Sequence, residues 1–183
     1  PLTIADANAA EGSITVIFQT VGQGTLRLAE LGVGDRIASI VGPLGHPTHI
    51  DRFGRVVCVG GGIGAAPLYP IVQAMKAAGN EVTVILGARN RSLLILTEEM
   101  RAIADGVTIC TDDGSCGRHG LVTEALRELC ASEHKPDLVV AIGPTPMMKY
   151  CAATTLPYGI RTLVSLNTIM VDGTGMCGCC RAT

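Results

Sequence analysis

The chain has 183 residues, of which 48% are hydrophobic and only 16% are charged. Its 14 basic and 16 acidic side chains leave a formal net charge of -2. That length supports one full domain with a small second one, and the lack of a basic excess argues against a nucleic-acid partner. No apolar run reaches the ~18 residues that cross a bilayer, so no membrane insertion is expected. No charged region followed by an apolar stretch marks a signal peptide at the start. The chain opens at Pro1 without a Met and stops just after a cysteine cluster, so both ends read as cuts through a longer protein.

In chain order, residues 13–20 (SITVIFQT) form a β-branched stretch that predicts a strand. Residues 25–31 predict a short helix with Leu26, Leu28 and Leu31 on its apolar face. Residues 35–41 (DRIASIV) predict a further strand, closed by the turn Gly42-Pro43-Leu44-Gly45. Strands with one short helix suggest part of a small β-barrel.

From Arg55 the pattern becomes βαβα. Strands are expected over 55–59, 81–86, 107–111, 137–142 and 161–166, with helices over 64–78, 93–104, 120–131 and 146–153. Gly79-Asn80 marks the end of the first of these helices. Strands alternating with helices of ~10–15 residues predict an α/β fold, a parallel sheet covered by helices on both faces. Such a sheet binds its ligand at the carboxyl ends of the strands. The domains expected are residues 1–52, 53–166 and a tail over 167–183.

The strongest local signal is VVCVGGGIGAAP, residues 56–67: a strand, a glycine turn and a helix start. Gly60, Gly61, Gly62 and Gly64 let backbone approach a pyrophosphate with no Cβ in the way. The helix beginning near Ile63 and Pro67 would aim unpaired N–H groups and its positive dipole end at that anion. The bland alternative is a turn that only permits close packing. The next strand ends in Gly87-Ala88-Arg89-Asn90-Arg91, where NAD-binding units usually offer an acid to the ribose hydroxyls. Here two arginines stand instead, and guanidinium groups suit a phosphate dianion. Arg89 and Arg91 therefore favour NADP(H) over NAD(H). Asp112 and Asp113 follow the third strand and would orient a ribose or amide, or simply shape a turn. Gly143, Pro144 and Met147 follow the fourth and would lie over the same crevice.

The cysteines fall into two groups. Cys58, Cys110, Cys116, Cys130 and Cys151 are scattered, as core cysteines usually are. Cys177, Cys179 and Cys180 crowd the tail, where Cys177 and Cys180 make a C-x-x-C spacing that chelates iron or zinc. Asp172 could add an oxygen ligand, and the alternative is a flexible tail with reactive thiols. Near the start, Val21-Gly22-Gln23-Gly24-Thr25 would offer backbone N–H groups and a hydroxyl to a phosphate.

Together these motifs resemble the ferredoxin–NADP reductase superfamily. Pro1-Leu2-Thr3 looks like the end of its flavin motif, Gly22-Gln23-Gly24-Thr25 like its pyrophosphate loop, and Gly42 to Gly45 like the turn that ends its flavin barrel. Gly60 to Pro67, Gly87 to Arg91 and Gly143 to Met148 look like its nicotinamide-nucleotide motifs. The run SLNTIMVDGTGMCG, residues 165–178, resembles one subgroup. That subgroup is the small (alpha) subunits of NADH-dependent ferredoxin–NADP oxidoreductase, also called sulfide dehydrogenase subunit beta, with relatives in dihydroorotate dehydrogenase and hydrogenases.

The resemblance implies FAD in a flavin-binding barrel held through Pro1, Leu2, Thr3, Gly24 and Thr25, a nicotinamide nucleotide, and a 2Fe-2S cluster on Asp172, Cys177 and Cys180. It implies a flavin-dependent oxidoreductase subunit that moves electrons between NADP(H) and the cluster. The implied partner is a larger flavin and iron–sulfur subunit or a ferredoxin, and the implied location is cytoplasmic. Alternatives are an electron-transfer subunit of dihydroorotate dehydrogenase or hydrogenase, or a docking module that only holds the nucleotide.

Overall fold

A computed structural model describes residues 2–181. Its elements are β1 (Ile4–Asn8), β2 (Ser13–Val16), α1 (Gln23–Ala29), β3 (Arg55–Gly61), α2 (Ala65–Ala77), β4 (Glu81–Ala88), α3 (Thr97–Ile103), β5 (Gly106–Thr111), β6 (Arg118–His119), α4 (Val122–Ala131), β7 (Leu138–Ile142), α5 (Thr145–Thr155) and β8 (Arg161–Val164). Six strands form one sheet in the order β6-β5-β4-β3-β7-β8, and every pairing in it is parallel. β1 and β2 form a separate antiparallel pair. The α/β reading of the sequence is borne out.

The sheet is buried on both faces, which is why β3 and β7 are continuous apolar runs rather than alternating ones. Successive side chains point to opposite faces. Val56, Cys58, Val82, Val84, Leu138 and Val140 pack with Leu68, Val72 and Met75 of α2 and Met100 of α3. Val57, Val59, Ile85, Val139 and Ala141 pack with Leu126 of α4 and Met148 and Cys151 of α5. Cys58, Cys110, Cys130 and Cys151 are buried and unpaired. Burial pushes the Cys58 thiol up to about 12 and that of Cys151 to about 11, so these are packing residues and poor nucleophiles.

The entry into the sheet is pinned by side chains. Asn80, 3% exposed, accepts from the N–H groups of Phe53 at 2.7 Å and Gly54 at 3.0 Å. It donates to the carbonyls of Asp51 at 2.8 Å and Met75 at 2.9 Å. Asp137 accepts from the Arg55 N–H at 2.8 Å, and Gly54, at φ 108°, leaves room for that carboxylate. Lys76 bridges from the end of α2 to Asp105, which also accepts from the Val82 N–H at 2.6 Å. The two-residue strand β6 is held by the Arg118 fork on Glu128 of α4.

Several boundaries differ from the sequence reading. No strand forms over residues 35–41. Ile37, Ile40 and Val41 are all exposed there, and a strand without a hydrogen-bonding neighbour or a core to cover is not stable. The strand expected over 13–20 stops at Val16 for the same reason. Among the described residues before Val56, only Ala5 is buried. Helix α3 starts at Thr97 rather than 93, because Leu94, Ile95 and Leu96 drop onto the core and Leu96 takes a left-handed φ of 55°. β1 and β6 were not foreseen.

Candidate nucleotide-binding crevice

Strand order fixes the location of the site. From β3 the chain crosses through α2 to β4 on one side, while from β7 it crosses through α5 to β8 on the other. The carboxyl ends of β3 and β7 are therefore the switch point at which open α/β sheets bind ligands. The glycine turn leaves β3 there, and Gly143 leaves β7 beside it.

The two turns touch. A Cβ on Gly64 would overlap the Ile142 carbonyl and stand 2.8 Å from Gly143 Cα. A Cβ on Gly143 would lie 3.0 Å from Gly61 Cα. Met147 covers Gly61: a Cβ there would stand 2.5 Å from the Met147 sulfur and 3.0 Å from Pro144 Cδ. Gly60 is confined less tightly, a Cβ there standing 3.0 Å from Leu68 Cδ2 and 3.1 Å from Leu86 Cδ2. Gly62 is different. Its φ is 54° and nothing lies within 4 Å of where a Cβ would be, so bare backbone faces outward at the centre of the turn. Gly60, Gly61, Gly64 and Gly143 serve the packing that brings the turns together, while Gly62 serves access.

Two helix starts converge on this point. Neither α2 nor α5 has a side-chain cap, so first-turn N–H groups are left without a side-chain partner. Pro67 and Pro146 lie in these first turns, where a missing N–H costs little. Ile63 is half-buried in the short 3-10 turn that joins β3 to α2. Backbone N–H groups and two positive dipole ends beside an open glycine make a fit for a pyrophosphate.

Arg89 and Arg91 follow β4, one strand away, and both are exposed. Neither pairs with an acid among the described residues. Asp112 and Asp113 follow β5, and the loops are stitched together. The Asp112 N–H donates to the Ala88 carbonyl at 3.1 Å and the Asp113 N–H to that of Arg89 at 3.2 Å. The Asp113 carboxylate accepts from the Ser115 N–H at 2.9 Å and its hydroxyl at 2.6 Å. Those bonds, the hydroxyl first, hold its pKa below the ordinary aspartate value. The Ser115 hydroxyl in turn accepts from the Arg91 N–H at 2.8 Å. Of the open readings for Asp113, the turn-shaping one matches this geometry.

The other sequence-derived sites are only partly assembled. Pro1 lies outside the described residues, and Leu2 and Thr3 are exposed. The Thr25 hydroxyl accepts from the N–H groups of Val21 and Gly22, both at 3.1 Å, and donates to the Gly22 carbonyl at 3.0 Å. A hydroxyl has one donor and two acceptor sites, so Thr25 caps α1 and has nothing left for a phosphate. Gly24 is open, with nothing within 4 Å of a Cβ. These residues do not by themselves enclose FAD. In the tail, Asp172 accepts from the Thr174 N–H at 2.9 Å, and this bond, with donors from Cys177, lowers its pKa. Cys180 is half-buried, its carbonyl accepting from the Thr168 hydroxyl at 2.8 Å. Among the described residues no three His, Cys, Asp or Glu side chains gather as a metal site. Asp172 and Cys177 meet, but Asp172, Cys177 and Cys180 are not brought together as one set among the described residues.

The family described as "oxidoreductase NAD-binding domain" matches residues 58–153, the stretch from β3 through α5. The chain belongs to that family. A Thermotoga maritima protein named "dihydroorotate dehydrogenase B (NAD(+)), electron transfer subunit homolog" is 49% identical over the whole chain. A Thermococcus kodakarensis protein, the probable electron transfer subunit of dihydroorotate dehydrogenase B (NAD(+)), is 39% identical over 90% of the chain and 67% of its own length. A solved structure of NADH-dependent reduced ferredoxin-NADP oxidoreductase superposes with a TM-score of 0.91 at 47% identity, over 99% of this chain and 65% of that one. The chain spans 64% of the length of the Thermotoga relative. The resemblance read from the motifs is thus borne out, and the chain is homologous to electron-transfer subunits. No helix of the described residues is long and apolar enough to cross a membrane.

Proposed function

We propose that the chain is the nicotinamide-nucleotide-binding part of an electron-transfer subunit, with the dinucleotide lying across the carboxyl ends of β3, β4 and β7. The observation behind this is the meeting of the Gly60 to Gly64 turn with Gly143 at the switch point, beside two helix starts without side-chain caps. Bound there, the nucleotide supplies a hydride, a pair of electrons with one proton. The chain's residues bind and orient it. Gly62 and the short turn over Gly62 to Gly64 that leads into α2 receive the pyrophosphate, Met147 and Pro144 wall the crevice on the β7 side, and Arg89 and Arg91 meet the adenosine end. The protein's part in such chemistry is position and electrostatics.

The ribose can be read in two ways. Two exposed guanidinium groups without acidic partners among the described residues suit the 2′-phosphate of NADP(H), whereas the exposed Asp112 carboxylate after β5 would suit a ribose diol. The names of both curated relatives carry NAD(+), which favours NAD(H). FAD, a 2Fe-2S cluster, a larger partner subunit and a cytoplasmic setting are proposed for the whole protein on the strength of these relatives, as is a ferredoxin–NAD(P) reductase-type activity. The domain limits proposed are 1–52, 53–166 and 167–183. A dihydroorotate dehydrogenase subunit is an equally direct reading of the relatives' names.

The test is anaerobic titration of the intact protein with NADH and with NADPH, followed by visible absorption. Bleaching of flavin bands by either nucleotide supports the proposal, and the faster one identifies the carrier. A flavin that neither nucleotide reduces refutes it.

A further inference from the structure

The loop after β5 grips the loop after β4 through a chain of bonds that ends on the arginine segment. Asp113 fixes Ser115 with two hydrogen bonds, Ser115 fixes the Arg91 N–H, and the backbone of Asp112 and Asp113 closes on Ala88 and Arg89. All these residues except Ala88 are exposed. No burial therefore holds Arg91 in place, and among the described residues the hydroxyl of Ser115 is the only side-chain partner its N–H has. Thr111 anchors the other end of the β5 loop, its hydroxyl donating to the Cys116 carbonyl at 2.8 Å and accepting from the Cys116 N–H at 3.1 Å. Gly114 and Gly117, at φ 71° and 67°, let the loop double back.

From this geometry we infer that Asp113 and Ser115 are positioning residues that set the Arg89–Arg91 segment for the adenosine end of the nucleotide. The inference rests on the proposed dinucleotide site. Asp113 and Ser115 act as a unit, one Asp113 oxygen accepting both bonds from Ser115. Their effect passes through the backbone of Arg91, and ordering that segment in advance lowers the cost of binding there.

The test uses the whole chain and two probes of the adenosine end, ADP-ribose and 2′,5′-ADP, with amide exchange as a second readout. Asp113→Ala and Ser115→Ala are expected to weaken the favoured probe at least fivefold. Ser115→Ala should also speed exchange of the Arg91 amide at least tenfold, while the amides of Val56 to Val59 stay protected. Asp113→Asn keeps the accepting oxygen and Ser115→Thr keeps the hydroxyl, so both should bind as wild type does. A merely structural defect would lower core protection and would not be rescued by the Asn variant. If wild type binds a probe and both Ala variants bind it equally well, or if the Arg91 amide is no faster, the positioning role is overturned. If wild type binds neither probe, the dinucleotide site itself is refuted, and the positioning role with it.

Discussion

Replacing Asn80 with Ala should be among the most costly single changes at the base of the sheet. Its amide has two donors and two acceptor positions, and all four are used: on the carbonyls of Asp51 and Met75 and on the N–H groups of Phe53 and Gly54. A group left unpaired away from water costs about 1–3 kcal/mol. Asp51 and Gly54 are exposed and Phe53 is half-buried, so water can replace part of what they lose. The Met75 carbonyl keeps the Asn80 N–H at 3.2 Å. Taking about 1 kcal/mol for each of three groups gives a loss of about 3 kcal/mol. Urea unfolding followed by circular dichroism measures it. With a slope near 2 kcal/mol/M, the midpoint should fall by about 1.5 M. Asn80→Asp keeps the two acceptor bonds but turns a carboxylate toward two carbonyls, so it should do no better than Ala. A loss below about 1 kcal/mol for Ala, or a wild-type midpoint for Asp, would refute the reasoning.

Three further outcomes follow from the same geometry. Gly64→Ala should cost about 2–3 kcal/mol and at least tenfold in nucleotide affinity, because its methyl would fall on backbone of the β7 turn; Gly61→Ala meets the movable Met147 thioether and should cost about 1 kcal/mol or less. Calorimetric titration of the two variants compares them. The Lys76 hydrogen bond, followed by the Val82 N–H, depresses the Asp105 pKa. Stability from that pair is therefore present above the unfolded aspartate value of about 4 and is lost as pH falls through the folded value. The side chain is 43% exposed, so the gap to Asp105→Asn should be about 1 kcal/mol or less at neutral pH. That gap should shrink below about pH 4 in unfolding curves run across pH. Arg89→Ala with Arg91→Ala should lower NADPH affinity about tenfold or more and leave NADH unchanged if a 2′-phosphate sits there. Equal loss for both nucleotides would remove the phosphate assignment.

The doubly wound core was legible because a strand covered on both faces writes itself as an unbroken apolar run. Residues 56–59 and 138–142 read this way, residues 81–86 alternate before ending in Val84-Ile85-Leu86, and a glycine turn follows 56–59. The barrel remnant was less legible. Residues 35–41 have strand composition, but composition cannot supply the neighbour a strand must bond to. β1 carries the unremarkable sequence IADAN, and it exists through its pairing with β2 and the burial of Ala5. Two residues were missed altogether. Asn80 read only as a helix-end marker, and Ser115 was not singled out. Their importance lies in partners 5 to 29 positions away in sequence, which no local pattern announces. The Gly60 to Gly64 turn signalled the site, yet only the structure separates Gly60, Gly61 and Gly64, which serve packing, from Gly62, which opens the turn.

The most direct test of the central claim is to map where the nucleotide binds. Amide exchange of the whole chain, with and without saturating NADH or NADPH, should show new protection at Gly62 to Ala66, Arg89 to Arg91 and Thr145 to Met147, and none at the opposite sheet edge near Glu81 and Asp137. Protection confined to that opposite edge, or none with either nucleotide, would contradict the assignment of the crevice between β3 and β7.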